Sequence, residues 1–151
     1  MNGMEVPDPD LPLTARCLCG GVRWQVHEPL SSCWYCHCTR CQHRTGTSSA
    51  IGGRIVPGSF ELLAGEELIR DWAPEDGMVK SFCSECGGQL WSRDPVEPEA
   101  RSIRLGTFDG DPGIRPSGHQ YTDFAPAWEA LPNDGLARWG GPAPDGAGPI
   151  R

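Results

Sequence analysis

The chain has 151 residues and a mass of 16.4 kDa, the size of one domain. Its 20 glycines and 15 prolines argue against a helical bundle, while 38 % hydrophobic residues are ordinary for a soluble globule. A formal charge of −7 and a pI near 5.0 argue against a general nucleic-acid binder.

Residues 1–13, with three prolines and three acids, read as a flexible arm without the basic and apolar regions of a signal peptide. From residue 14, short β-leaning runs alternate with Gly, Pro and Asp. The expected strands are Thr14–Leu18, Val22–Val26, Ser32–Tyr35, Ala50–Val56, Phe60–Leu63, Leu68–Trp72, Val79–Phe82, Gln89–Ser92 and Ile103–Gly106. Two short helices are expected, Thr39–Thr45 and Ala127–Leu131, and residues 140–151 read as a flexible tail. The expectation is therefore one mainly β domain over 14–139, made of several short antiparallel sheets. No apolar run approaches the roughly 18 residues of a membrane helix, so no membrane partner is expected.

Eight cysteines dominate the chemistry. An even count suits disulfides or metal sites; a chain kept in the reducing cytoplasm, the expected location, holds its thiols free for metal. The thiols fall in three clusters: Cys17-Leu-Cys19, then Cys33-Trp-Tyr-Cys36-His-Cys38-Thr-Arg-Cys41, then Cys83-Ser-Glu-Cys86. A C-x-x-C turn sets two sulfurs at the edge of a tetrahedron around zinc, with Zn–S near 2.3 Å. Four thiolates make a closed structural site, whereas three leave a position open. Cys17, Cys19, Cys83 and Cys86 suit the closed one, because they would staple the first strand to a late hairpin. Cys36, Cys38 and Cys41 remain for the second site. If residues 32–36 are extended, Cys33 and Cys36 point to opposite faces and Cys33 is a small buried hydrophobe; otherwise Cys33 closes the second site. His37 reads as a spacer between ligands.

The pattern Cys17-x-Cys19-Gly20, Cys36-His37-Cys38-x-x-Cys41 and Phe82-Cys83-x-x-Cys86-Gly87 resembles the glutathione-dependent formaldehyde-activating enzyme family, which also includes centromere protein V. Gly106-Thr107-Phe108-Asp109, Arg115-Pro116, His119 and Trp128 are similar to its C-terminal half, and Cys33 lies outside the pattern. The resemblance implies a β-tent fold and two zincs, a structural one on Cys17, Cys19, Cys83 and Cys86 and a catalytic one on Cys36, Cys38 and Cys41. It also implies a carbon–sulfur lyase that joins glutathione, or another small thiol, to formaldehyde or another small aldehyde.

Residues 15–58 carry a local charge of +4 within the acidic whole. Arg40, Arg44 and Arg54 in that stretch are candidate partners for the carboxylates of glutathione, since a guanidinium binds a carboxylate through two parallel hydrogen bonds. Trp34, Trp91 and Trp128 read as core or pocket wall. His119 is a hydrogen-bonded structural residue or a proton shuttle. Two other readings stay open: a zinc-stabilised binding module without chemistry, and a redox sensor in which Cys33 or Cys36 pairs with a neighbouring thiol.

Overall fold

The computed structural model describes residues 5–148. All nine expected strands have counterparts. They are β1 (Leu13–Arg16), β2 (Arg23–Val26), β3 (Ser32–Cys36), β4 (Ala50–Arg54), β5 (Phe60–Ala64), β6 (Ile69–Trp72), β7 (Val79–Cys83), β8 (Gln89–Arg93) and β9 (Arg101–Arg104). One α-helix, α1, spans Thr39–Thr45, the expected bounds. The chain is mainly β.

Three differences have local causes. The segment expected as Ile103–Gly106 starts and stops earlier, because Leu105–Thr107 tightens into a 3-10 turn. Residues 127–131 form turns and a bend rather than a helix. Pro126 and Pro132 flank the segment, and one backbone bond from Glu129 N–H to the Pro126 carbonyl is too little to propagate a helix. Two strands too short to give a period were missed, β10 (Gly118–Gln120) and β11 (Ala137–Arg138). The ends also differ in detail: Leu13 belongs to β1 and is buried, and Gly141 accepts from Tyr121 N–H. Residues 1–4 of the expected arm and 149–151 of the expected tail lie outside the described residues.

The strands form two sheets. The smaller has the order β1-β2-β5 and is antiparallel. The larger has the order β11-β10-β3-β4-β9-β8-β7-β6. It is antiparallel except at one edge, where β10 runs parallel to both β3 and β11. Side chains alternate between the faces of a strand, so the register sorts them. Cys33 of β3 faces Gly53 of β4, which faces Ile103 of β9, which faces Trp91 of β8. This odd-numbered row meets the smaller sheet and forms the core with Leu13, Ala15, Val22, Trp24 and Val26. Trp24 and Phe60 both present edge-to-face contacts to Trp91 at 5.1 Å, a geometry that adds about 0.5–1.5 kcal/mol per pair beyond area burial.

The even-numbered row, Ser32–Arg54–Ser102–Ser92–Lys80, lies on the opposite face. That face carries the site described below.

Trp24 is fully buried whereas Leu18 is 80 % exposed. Trp24→Ala is expected to cost about 3–5 kcal/mol through lost burial and the cavity left behind. Leu18→Ala should stay within about 0.5 kcal/mol. Urea unfolding followed by circular dichroism measures both.

Candidate functional site

All eight cysteines are free thiols. The fold brings seven of them into two groups. In the first, the sulfurs of Cys17, Cys19, Cys83 and Cys86 lie within 4.8 Å of one another. Cys17 and Cys19 sit in the loop after β1, while Cys83 ends β7 and Cys86 lies in the turn before β8. The Cys17–Cys19 and Cys19–Cys83 sulfur separations are 3.5 and 3.9 Å, close to the edge of about 3.8 Å of a tetrahedron with 2.3 Å bonds. Gly20 and Gly87 hold φ of +76° and +72°, which turns the chain back over the sulfurs without a Cβ clash. Val22 N–H donates to Cys17 Sγ at 3.3 Å and Gly21 N–H to Cys19 Sγ at 3.4 Å. The backbone N–H of Cys19, the largest influence, helps hold the Cys86 thiol down to about 6 against burial. Four sulfurs at this spacing, already facing N–H dipoles, form a donor set that fits zinc.

The second group is Cys36, Cys38 and Cys41, again within 4.8 Å of one another. Cys36 ends β3, and Cys38 is the N-cap of α1, where its sulfur accepts from Cys41 N–H at 3.4 Å. A thiol thus takes the place of the oxygen that usually caps a helix, and Cys41 falls one helical turn away. The hydrogen bond from Cys41 pulls Cys36 down to about 5 against the opposing effect of burial, and Cys41 is pushed up in return. Three soft donors are a fit for zinc with one position free.

Cys33 is in neither group. It is 1 % exposed within the core, and burial pushes its thiol up to about 12. His37, between two candidate ligands, is buried, and its Nε2 lies 2.9 Å from His119 Nδ1. His119 is itself 1 % exposed, stacks on Tyr35, and donates from Nε2 to the Asp134 carboxylate at 2.8 Å. This chain ties the loop around residue 134 to the strand that ends in Cys36, a structural use of both histidines.

The three thiols close one end of a cleft of about 510 Å³ on the even-numbered face of the larger sheet. Its floor is Ser32, Gly52 and Ser102, and a Cβ at residue 52 would collide with Ser102 Oγ. Trp34 forms a wall, with the Arg54 guanidinium 5.0 Å from its ring centroid. Arg40 is at the rim, where Asp76 holds it by two hydrogen bonds of 2.7 and 2.8 Å. Arg44 does not line the cleft. Its guanidinium donates to Ser92 Oγ and to the carbonyls of Ser81 and Trp91, which ties α1 to the sheet. Burial, and after it the charge of Arg104, pulls Arg44 down to about 10. Trp91 is core, whereas Trp128 is 68 % exposed and serves neither core nor cleft wall.

Three further cations line the cleft that local sequence did not single out: Lys80, Arg101 and Arg104. Arg101 only borders it, because its guanidinium stacks on Phe60 and Trp91 on the core side of the sheet. Only the strand order β4-β9-β8-β7 brings them beside β3, and no spacing motif encodes it. Asp94 is the one acid among the lining residues described.

A family profile described as "Glutathione-dependent formaldehyde-activating enzyme" matches residues 12–124. A curated protein of Halomonas elongata, provisionally named for the same activity, is 25 % identical over 146 residues, covering 84 % of this chain and 93 % of the relative. A crystal structure of a Rhodobacter sphaeroides protein superposes with a TM-score of 0.54 at 20 % identity. It covers 83 % of this chain and 98 % of that one, and so bears on the fold.

Two measurements follow from the sulfur geometry. Cys83→Ser should lower the zinc content by one per chain and reduce the melting temperature, read by atomic absorption and calorimetry. In the folded protein, iodoacetamide at pH 8 should leave Cys33 unmodified, because its thiol is buried and protonated there; in urea it should react, as peptide mass mapping will show.

Proposed function

The chain belongs to the glutathione-dependent formaldehyde-activating enzyme family, and from that premise we propose that it is a zinc-dependent carbon–sulfur lyase joining a small thiol to a small aldehyde. The observation that carries this reading is the second thiol group. Cys36, Cys38 and Cys41 lie together at the end of a cationic cleft, and no fourth Cys, His, Asp or Glu completes their group among the described residues. The first group would hold a structural zinc and the second an exchangeable one. Zinc bound by three thiolates would supply a position for an incoming thiol and favour its thiolate, the nucleophilic form.

The reaction balances without a redox partner. The sulfur of the thiol forms a bond to the aldehyde carbon, the carbonyl π electrons move to oxygen, and the thiol proton ends on that oxygen. With glutathione and formaldehyde the product is S-hydroxymethylglutathione, and the reverse reaction breaks the carbon–sulfur bond. The cleft contributes by holding two reactants in one orientation, which supplies effective molarity. Trp34 and the sheet floor exclude water on two sides. Arg54, with no carboxylate partner among the described residues, is placed to receive a glutathione carboxylate; Arg40 could do so only in competition with Asp76.

Among the described residues no helix is long and apolar enough to cross a membrane. A cytoplasmic location, where thiols stay reduced, suits the free cysteines and the proposed substrate.

Native mass spectrometry tests the open site. Two zincs per chain and a glutathione adduct in the wild type, with the adduct lost in Cys38→Ser, are expected. Cys38→Ser should also reduce thiol–aldehyde turnover by at least 100-fold while the far-UV spectrum is kept. Unchanged turnover in that variant would sink the proposal.

A further inference from the structure

Arg104 has an unusual set of partners. Its Nε donates to Gln89 Oε1 at 3.0 Å, and Gln89 Nε2 donates in turn to the Arg44 carbonyl at 2.9 Å. The guanidinium is thereby fixed at one edge. Its two terminal nitrogens donate to no oxygen among the described residues; the Cys41 sulfur is their neighbour, and the residue lines the cleft. Lys80, on the same wall, makes one long hydrogen bond of 3.4 Å to Ser92 Oγ. Neither cation has a carboxylate partner among the described residues, whereas Arg93 and Arg115 are held by aspartates at 2.8 Å. Both cations are partly buried, so each charge is held partly out of water without a carboxylate to compensate it.

The neighbouring sulfurs do not balance this charge. Three thiolates with a zinc leave a formal −1 against two cations. An anion with two coplanar oxygens matches a guanidinium fork fixed at Nε, and an ammonium beside it adds a point charge. We infer that Arg104 and Lys80 form a carboxylate-binding subsite beside the three thiols, so that a reactant brings its own carboxylate there. The inference rests on the thiol–aldehyde reading only for the identity of the reactants. The carboxylate is either that of the thiol, as in glutathione, or that of the aldehyde, as in an oxo acid such as glyoxylate. It differs from the Arg54 contact in position, since Arg54 lies against Trp34 whereas Arg104 feels the charge of Cys36, Cys38 and Cys41.

The test uses the zinc-loaded full chain and two unreactive probes, glycolate for an oxo acid and S-methylglutathione for the thiol. Calorimetry should show at least one probe binding, with Arg104→Gln weakening it at least tenfold and Arg104→Lys, which keeps charge but loses the fork, falling between. Lys80→Gln should weaken the same probe. A loss confined to glycolate assigns the carboxylate to the aldehyde, and a loss confined to S-methylglutathione assigns it to the thiol. Circular dichroism and a zinc count of two confirm that each variant is folded. In turnover, the preference for glyoxylate over acetaldehyde, or for glutathione over 2-mercaptoethanol, should collapse toward one in Arg104→Gln. Probe binding equal in wild type and Arg104→Gln overturns the subsite even where turnover is robust. Arg104-dependent binding without any thiol–aldehyde turnover overturns the lyase reading and leaves the subsite standing.

Discussion

Because successive side chains of a strand point to opposite faces, the register of the larger sheet decides which residues make the core and which make the cleft. Trp34 faces Gly52, which faces Arg104; Arg54 faces Ser102, which faces Ser92, which faces Lys80. A slip of one residue between β4 and β9 would bring Ile103 to the cleft and turn Arg104 into the apolar core. The burial of Ile103 and Trp91 against Trp24 opposes that slip. The hydrophobic interaction between the sheets therefore fixes the polar chemistry on the far side, although the two sets of residues share no contact type.

The thiols impose a second constraint of a different kind. Four sulfurs within 4.8 Å of one another cannot all be ionised without a counter-charge. Backbone N–H groups of residues 21 and 22 supply part of it. A divalent ion would supply the rest, and its binding free energy, about 10–16 kcal/mol for structural zinc in small peptides at pH 7, would be folding free energy here. The closed group joins the loop after β1 to the β7–β8 hairpin, so it links the smaller sheet to the larger. The open group joins the end of β3 to the cap of α1 and links nothing else. A metal on the first group would stabilise the fold, whereas one on the second would leave the fold unchanged on release, a division that follows from what each connects.

Much of this was legible from the sequence for physical reasons. Strand positions followed from two-residue alternation and from turn residues, and α1 was expected over the bounds it has, although its Cys38 cap was not. The grouping of Cys17 and Cys19 with Cys83 and Cys86 followed from loop closure. Cys33 followed from parity: three residues from Cys36 along an extended strand, it faces the core. The illegible parts are those in which local sequence has no say. β10 and β11 have three and two residues, too few for a period, and exist because they find an edge of β3. Residues 127–131 looked helical by composition, but flanking prolines and exposure leave nothing to propagate a helix. Arg44 was chosen for its neighbours in sequence, yet its hydrogen bonds go to β7 and β8.

The charge of the cleft shows the same limit from another side. The chain is acidic overall, and its basic stretch supplies only Arg40 and Arg54 to the lining, one of them already held by Asp76. Lys80 comes from the most acidic segment, and Arg101 and Arg104 from a segment close to neutral. Net charge describes the long-range field felt by an approaching partner, which salt screens within about 8–10 Å. Inside a cleft with a low-dielectric floor, the few charges that share its wall decide instead. Arg54, Lys80 and Arg104, without carboxylate partners among the described residues, against one aspartate give this wall a sign opposite to that of the whole molecule. A small anion bound there meets the wall at contact distance, and the excess acid of the chain meets it only through solvent.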